Sequence, residues 1–149
     1  HHFVFRCHPV LPFDRIRADL DGTPEACPNI EMSQATIDED FARCSTVLYR
    51  GSSAVLYAVL QGLKPVYLRD DRFPHVDPLF ELAVWREHVV SVTDLDAVLA
   101  RYAPVSDADA ESEWKPARDY VDAYTIPADG ASIDRLLDAV GLSARGPAA

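Results

Sequence analysis

A stretch of small and polar residues separates two apolar segments near the middle of the chain. Arg50, Gly51, Ser52 and Ser53 follow the apolar run TVLY and precede the apolar run AVLYAVL. Backbone N–H groups at the start of a helix and serine hydroxyls suit a phosphate. A glycine lets the backbone come close, and an arginine adds a charge-assisted bond. The four residues therefore indicate an anion site. The alternative is that Ser52 or Ser53 only caps the helix that follows.

A second polar junction ends the first apolar run of the chain. The sequence HFVFRC is followed by His8 and Pro9. His8 can hydrogen-bond a phosphate or a developing negative charge, and Arg6 could supply a second cation there. The alternatives are a structural histidine and an ordinary surface arginine.

Other catalytic patterns are absent from the sequence or incomplete in it. The segment GSSA is not G-x-S-x-G and no acid partner can be identified, so a serine hydrolase is disfavoured. The chain has no G-x-G-x-x-G and no Walker loop, which argues against dinucleotide and P-loop sites. His75 and Asp77, in RFPHVDP, are more typical of a loop with capping roles than of a metal site.

These residues must be positioned by alternating strands and helices. Short apolar runs predict strands, and amphipathic segments predict helices. The predicted strands are 2–7, 29–33, 46–49, 65–69 and 89–92; the predicted helices are 14–20, 36–44, 54–61, 78–85, 93–102, a segment leading to Tyr124, and 132–141. Residues 104–115 are polar and acidic and predict a loop.

Local signals support several of these boundaries. Thr36 and Glu39 form a capping-box pattern, and Gly62 is the expected stop of the helix that begins after Ser53. That helix is apolar almost all round, which predicts that it is buried. A buried stripe is also predicted for the last helix, at Ile133, Leu136, Leu137 and Val140.

Strands that alternate with helices predict an α/β fold, namely a Rossmann-like three-layer α/β/α arrangement with a mainly parallel sheet. Ligands of such sheets bind beyond the carboxyl ends of the strands. Both polar junctions follow predicted strands, so both are expected at that edge.

Composition limits the class of protein. The 149 residues predict one domain, 1–141, with a flexible tail, 142–149. A net charge of −10 and a pI near 4.7 argue against a general nucleic-acid binder, and no apolar run is long enough to span a membrane. Cys7, Cys27 and Cys44 are widely spaced, which indicates reduced thiols in a cytoplasmic protein and no metal site.

Taken together, the two junctions resemble those of a known family. The order strand-His-Pro, short strand, capped helix, strand-Gly-Ser-Ser, apolar helix and GLKPV is similar to the C-terminal, donor-binding half of GT-B glycosyltransferases. More narrowly, it resembles the bacterial surface-polysaccharide group of sialyl-, polysialyl-, Kdo- and glycerophosphate transferases. The ending YVDAYTIPADGASIDRLLDAV also resembles these proteins, so that the resemblance covers roughly residues 3–141.

The resemblance implies a function. In that group the His-Pro and Ser-Ser motifs hold the nucleotide and phosphate of an activated sugar. The resemblance implies His8, Pro9, Ser52 and Ser53 as donor-binding residues. Arg50 and Gly51, from the anion-site chemistry, and Tyr57, at the position of the ribose contact, complete the predicted donor-binding set. The implied donor is a CMP-, CDP- or UDP-type sugar, used without a cofactor or bound metal, with His8 stabilising the leaving phosphate. The implied location is cytoplasmic, or peripheral at the inner membrane face in a full-length protein.

Departures from the family pattern limit this interpretation. Many GT-B enzymes carry a glutamate that grips the donor ribose where Tyr57 stands, and a phenol accepts fewer hydroxyl bonds than a carboxylate does. Either the ribose is held elsewhere, for instance by Gln61, or the domain binds its nucleotide differently or not at all. Cys7 also stands where related proteins often carry a different residue.

The chain also has no room for the N-terminal domain that supplies the catalytic base and the glycan acceptor site in such enzymes. The first strand of the donor domain is expected to lie outside it as well. The isolated chain is therefore expected to bind a donor without catalysing transfer. Two alternatives stay open: a non-catalytic α/β binding or interaction module derived from such a domain, and another enzyme of similar architecture, such as an epimerase-like or phosphate-transfer protein.

Overall fold

A computed structural model describes residues 1–19, 22–102, 107–125 and 130–142, without the side chains of 107–110 and 130. The chain has an α/β fold, as the alternation of apolar and amphipathic segments predicts. Its strands are β1 (Phe3–Phe5), β2 (Ile30–Met32), β3 (Thr46–Tyr49), β4 (Lys64–Leu68) and β5 (Glu87–Val89). Its helices are α1 (Phe13–Ile16), α2 (Ile37–Ala42), α3 (Ala54–Leu60), α4 (Val92–Tyr102), α5 (Asp107–Tyr124) and α6 (Gly130–Ala139). Two short 3₁₀ helices lie between β1 and β2.

The strands form two small parallel sheets. β1 pairs with β2, with Phe3 opposite Ile30, and the other sheet has the order β3-β4-β5. Thr46 lies opposite Lys64 across β3 and β4, and Val66 lies opposite Glu87 across β4 and β5. All pairing is parallel, and each pair of neighbouring strands is joined by a crossover connection of more than a dozen residues.

Helices α1 and α2 lie on opposite faces of the two-stranded sheet. The ring of Phe5 packs edge-on against Phe13 of α1, with 6.3 Å between the ring centroids. The next side chain, Arg6, bonds Asp40 of α2 at 2.7 Å, and successive side chains of a strand point to opposite faces.

The main core lies between the three-stranded sheet and the helices α3 and α5. Val55 and Val59 of α3, Val121 of α5 and Leu79 are fully buried there. Trp114 of α5 donates its indole N–H to the carbonyl oxygen of Val59 at 2.5 Å. This packing holds α3, and with it the serine turn, against the sheet.

Helix α3 is buried on one side only, which corrects the expectation of a buried helix. Val55, Ala58 and Val59 have almost no exposed surface, whereas Tyr57 is 57% exposed. The sheet covers one side of the helix and α5 another, so that its remaining face is open to solvent.

Residues 78–85 are not helical, contrary to the sequence prediction, and form turns. The Arg86 guanidinium accounts for this. It donates to the carbonyl oxygens of Leu79 at 2.6 Å and of Phe80 and Leu82 at 3.2 Å. A helix would need those same carbonyls for its own hydrogen bonds.

The C-terminal third corrects two further predictions. Residues 107–115 belong to helix α5 and not to a loop, because the Trp114 face of this helix packs on α3; residues 104–106 lie outside the described residues. The apolar stripe of α6 is exposed and not buried, with Ile133 66% and Leu136 63% exposed. The tail beyond residue 142 also lies outside the described residues.

None of the helices in the described part of the chain has the length and apolar character needed to cross a membrane. Cys7, Cys27 and Cys44 are free thiols in the described structure.

Candidate functional site

The two polar junctions follow strands of the two separate sheets. His8 and Pro9 come after β1, and Arg50–Ser53 come after β3. In open parallel sheets, ligands usually bind beyond the carboxyl ends of the strands. No hydrogen bond or ion pair joins His8 to Arg50–Ser53 among the described residues.

The turn between β3 and α3 brings its backbone close to a neighbouring loop. Gly51 has a φ of +66°, a left-handed conformation that L side chains rarely adopt. A Cβ at Gly51 would lie 3.6 Å from the carbonyl oxygen of Val76, so the loop that follows β4 packs over this turn. The conformation of the turn, more than the space around it, favours glycine here.

The serine hydroxyls of this turn are exposed and little used by the helix. Ser53 occupies the N-cap position of α3 but makes no side-chain hydrogen bond to the helix. Ser52 accepts a long hydrogen bond, 3.3 Å, from the backbone N–H of Ala54. The interpretation of this pair as a helix cap therefore fits Ser52 weakly, and the Ser53 hydroxyl is not consumed by capping.

Arg50 is held by the loop after β4. Its guanidinium lies 3.8 Å from Asp70 and 4.7 Å from the ring centroid of Phe73. Asp70 also pairs with Arg72 at 2.8 Å. Hydrogen bonds from Arg72 and then its charge, followed by the charge of Arg50, hold the pKa of Asp70 far below its usual range. An anion at this turn would compete with Asp70 for Arg50.

His8 is exposed in a tight turn. Its Nδ1 accepts a hydrogen bond from the backbone N–H of Val10 at 3.2 Å, and its carbonyl oxygen accepts one from Leu11 at 2.8 Å. These bonds orient the ring, and a ligand would meet Nε2. Pro9 is exposed beside it.

Tyr57 lies one helical turn after Ser53 and on the same side of α3. Its ring is exposed, so the position that would hold a ribose-binding carboxylate presents a phenol to solvent. Gln61, the other residue considered for that role, donates to Asp38 of α2 at 3.1 Å.

A buried polar cluster lies behind the serine turn, and sequence reasoning did not find it. The Tyr49 hydroxyl donates to Asp77 at 2.7 Å, and Asp77 pairs with Arg86 at 2.8 Å. Burial, then the hydrogen bond to Asp77, raises the pKa of Tyr49 far above its usual range. The Tyr67 ring packs between those of Tyr49 and His88, with centroid distances of 5.4 and 6.0 Å.

Asp77 was the available signal for this cluster. The sequence identified it as a loop residue with a capping role, and its carboxylate does accept the backbone N–H of Leu79 at 2.9 Å. Its partner Arg86 lies nine residues away, in a segment that the sequence assigns no role. The ion pair therefore could not be identified from local spacing.

A shallow groove of about 270 Å³ lies at the carboxyl ends of β4 and β5. None of the junction residues lines it. Its walls are Leu68, Arg69, Val89, Val90, Ser91, Val92 and Leu95. Two of the polar groups there already cap helix α4. The Ser91 hydroxyl accepts the backbone N–H of Asp94 at 3.1 Å, and the Asp94 carboxylate accepts the backbone N–H of Val90 at 3.3 Å.

Comparison with known proteins gives no match: no family model, no curated protein and no solved structure matches the chain. Among the described residues, no group of three or more His, Cys, Asp or Glu side chains is placed to hold a metal ion.

Proposed function

We propose that this chain is the donor-binding domain of a nucleotide-sugar-dependent glycosyltransferase that builds a bacterial surface polysaccharide. The observation that carries the proposal is the placement of the two junctions. His8-Pro9 follow the carboxyl end of β1 and Arg50–Ser53 follow that of β3, and α/β sheets bind their ligands beyond the carboxyl ends of their strands. The resemblance of the same residues to the His-Pro and Ser-Ser motifs of the transferases supports the assignment.

The donor phosphate is bound at the serine turn. Ser53 presents a hydroxyl that does not cap α3, and Gly51 keeps the backbone accessible. Arg50 supplies the cation after exchanging its 3.8 Å contact with Asp70 for the phosphate. In sugar transfer, negative charge builds on the leaving phosphate, and donors fixed in place before the reaction stabilise that charge.

His8 contributes from the carboxyl end of β1. With Nδ1 accepting the Val10 N–H, its Nε2 faces a ligand as the second contact to the leaving group or nucleotide. The exposed Tyr57 ring takes the position next to the ribose. The catalytic base and the glycan acceptor site belong to a second domain, so this chain alone binds a donor without turning it over.

Calorimetric titration of the chain with CMP, CDP, UDP and GDP tests the proposal. Saturable binding of one nucleotide is expected. Ser53→Ala should weaken it about tenfold, the effect of one charge-assisted hydrogen bond. The matched control is Ser45→Ala, an exposed serine just before the opposite end of β3, which should leave the affinity unchanged. Equal loss in both variants, or binding unaffected by Ser53→Ala, would contradict the placement of the phosphate.

A non-catalytic binding module is the second candidate, and two observations favour it. A phenol replaces the expected carboxylate at Tyr57, and Asp70 already engages Arg50. This candidate predicts that none of the four nucleotides binds, either to the chain or to a full-length protein that contains it.

A further inference from the structure

A row of three aromatic side chains crosses the three-stranded sheet and ends at His88. Tyr49 of β3 lies opposite Tyr67 of β4, and Tyr67 lies opposite His88 of β5. Residues paired in this way present their side chains on the same face of a sheet. Their rings are accordingly in contact, with centroids 5.4 Å apart for the two tyrosines and 6.0 Å apart for Tyr67 and His88. His88 is the exposed end of the row.

The His88 ring is bonded to the guanidinium of Arg86. The hydrogen bond joins Nη2 of Arg86 and Nε2 of His88. A guanidinium stays protonated and can only donate, so Nε2 is the acceptor. The ring that makes this bond is therefore neutral and carries its proton on Nδ1. A protonated His88 could not accept the bond and would place a second positive charge against Arg86.

Arg86 also fixes the loop that joins β4 to β5, residues 69–86. Its Nη1 atom donates to three carbonyl oxygens of this loop at 2.6 to 3.2 Å, and its Nη2 atom lies 2.8 Å from the Asp77 carboxylate. The Arg86 side chain is only 10% exposed, so these contacts are largely shielded from water. Displacement of the guanidinium would therefore release several loop carbonyls at once.

Solution pH acts on His88 in the range where histidines titrate. Desolvation of the ring, followed by the charge of Arg86, lowers the pKa of His88 below the ordinary value of 6.5. Further groups act on the ring by charge or by ring contact, namely Asp77, Arg69, Glu87 and Tyr67. Because the folded pKa is lowered, the contribution of this bond to stability is complete above about pH 6.5 and is lost as the pH falls through the folded pKa.

We propose that His88 is a pH-sensitive latch for the loop between β4 and β5. Neutral His88 accepts the bond from Arg86 and keeps the guanidinium on the loop carbonyls. Uptake of one proton from solvent at Nε2 breaks this bond, sets two positive charges against each other and loosens the loop. Val76 of this loop packs over the serine turn, with its carbonyl oxygen 3.6 Å from a Cβ placed at Gly51, so this cover loosens as well. The inference requires no ligand at that turn.

Nitrogen-15 NMR of the imidazole rings tests the first step in the 149-residue chain. At about pH 8, His88 should carry its proton on Nδ1, and it should titrate with a pKa below 6.5. His8 is the internal control: its Nδ1 accepts the Val10 N–H at 3.2 Å, so its neutral ring should carry the proton on Nε2. A His88 proton on Nε2 at this pH, or a pKa above 6.5, would overturn the proposal.

Hydrogen exchange of the Leu82 amide tests the second step. This N–H donates to Leu79 within the loop at 2.9 Å. Its protection factor, corrected for the intrinsic effect of pH, should fall by about 3- to 30-fold between about pH 7.5 and about pH 5. The upper limit is set by an ordinary histidine pKa of 6.5 in the open loop, and the window lies above the usual range of carboxyl groups. Val66, fully buried in β4, is the internal control and should change much less.

A matched pair of variants separates His88 from other titrating groups. His88→Gln offers Arg86 a carbonyl acceptor that takes up no proton in this range, so the pH dependence at Leu82 should disappear. His75→Gln removes the other histidine that packs on the Tyr67 ring, at 6.4 Å, and should leave the pH dependence unchanged.

Three outcomes of the exchange measurements would also overturn the proposal. One is protection of Leu82 that does not change over this pH range. Another is a pH dependence that persists in His88→Gln. The third is an equal loss of protection at Val66, which would mean that protonation destabilises the whole fold and not this loop. The first and the third require no variant, so the test does not depend on the folding of His88→Gln.

Discussion

Exposed and buried polar side chains serve different purposes in this chain. Ser53 and His8 are exposed and keep hydrogen-bonding capacity for a ligand. Asp77 and Arg86 are buried and bond mainly to each other and to the surrounding structure. The first pair carries the proposed function, whereas the second fixes the loop that packs over Gly51.

The Asp77–Arg86 pair gives a test at the scale of single residues. The two side chains are only 6% and 10% exposed, so Asp77→Asn leaves a buried guanidinium without its counter-charge. We expect a loss of about 3–5 kcal/mol in the free energy of unfolding, measured by urea denaturation. The matched control, Asp71→Asn, removes a carboxylate that is 68% exposed and should change this free energy by about 1 kcal/mol or less. Equal effects of the two variants would mean that the buried ion pair contributes no more to the free energy of unfolding than the exposed one.

Asp40 should make stability depend on acid pH. Burial alone would raise its pKa, but hydrogen bonds from Ser33, Arg43 and Arg6 outweigh burial and bring the pKa below the ordinary value of 3.8. A carboxyl group with a lowered folded pKa contributes stability above its unfolded pKa and loses it as the pH falls through the folded pKa.

Urea denaturation at several pH values measures this contribution. The difference in free energy of unfolding between wild type and Asp40→Asn should be constant from neutral pH to about pH 5 and shrink below about pH 4. Asp38→Asn, at an exposed position on the same helix, is the control and should cost less free energy of unfolding at neutral pH. A difference that does not change with pH would show that Asp40 titrates alike in both states.

At the scale of elements, helix α2 connects the two sheets and depends on its N-terminal cap. Glu39 donates its backbone N–H to the Thr36 hydroxyl at 3.3 Å, and the Glu39 carboxylate accepts the Thr36 N–H at 2.7 Å. Thr36→Ala should lower the free energy of unfolding by about 1 kcal/mol in urea denaturation. Thr93→Ala, at an exposed position in the first turn of α4, is the control and should cost clearly less. No difference between the two would exclude a role for the capping box.

The same elements show what the sequence could predict. Local signals placed α2 and the first four strands, because a capping box and short apolar runs act over a few residues. The fifth strand was predicted at 89–92 but lies at Glu87–Val89, and Val92 already belongs to α4. The prediction of a helix at 78–85 was wrong, because Arg86 binds the carbonyl oxygens that a helix there would need. The prediction of a loop at 107–115 was wrong for a similar reason. The polar composition of these residues suggests a loop, but the packing of Trp114 on α3 favours a helix.

Some features of the candidate site could also be predicted from the sequence, and others could not. The junctions at His8 and Arg50–Ser53 could be found from sequence, because both directly follow apolar strands. The contact of Asp70 with Arg50 and the ion pair of Asp77 with Arg86 could not. They depend on how the loop after β4 folds back over the serine turn, which no local pattern encodes.

At the scale of the whole molecule, apolar side chains differ widely in how deeply they are buried. Leu79, in the loop between β4 and β5, has no exposed surface, whereas Leu136 of α6 is 63% exposed. The amphipathic pattern of α6 forms as the sequence predicts, but nothing among the described residues buries the stripe. The contribution of α6 to the stability of the isolated chain should therefore be small.

The same substitution at these two leucines measures how much the burial of each side chain contributes to stability. Leu79→Ala removes a fully buried side chain and should lower the free energy of unfolding by about 2–5 kcal/mol. Leu136→Ala removes a mostly exposed one and should change it by no more than about 0.5 kcal/mol. Urea denaturation at two protein concentrations gives both values. If Leu136→Ala were costly only at the higher concentration, α6 would be buried between copies of the chain. If it were equally costly at both, α6 would pack within the chain.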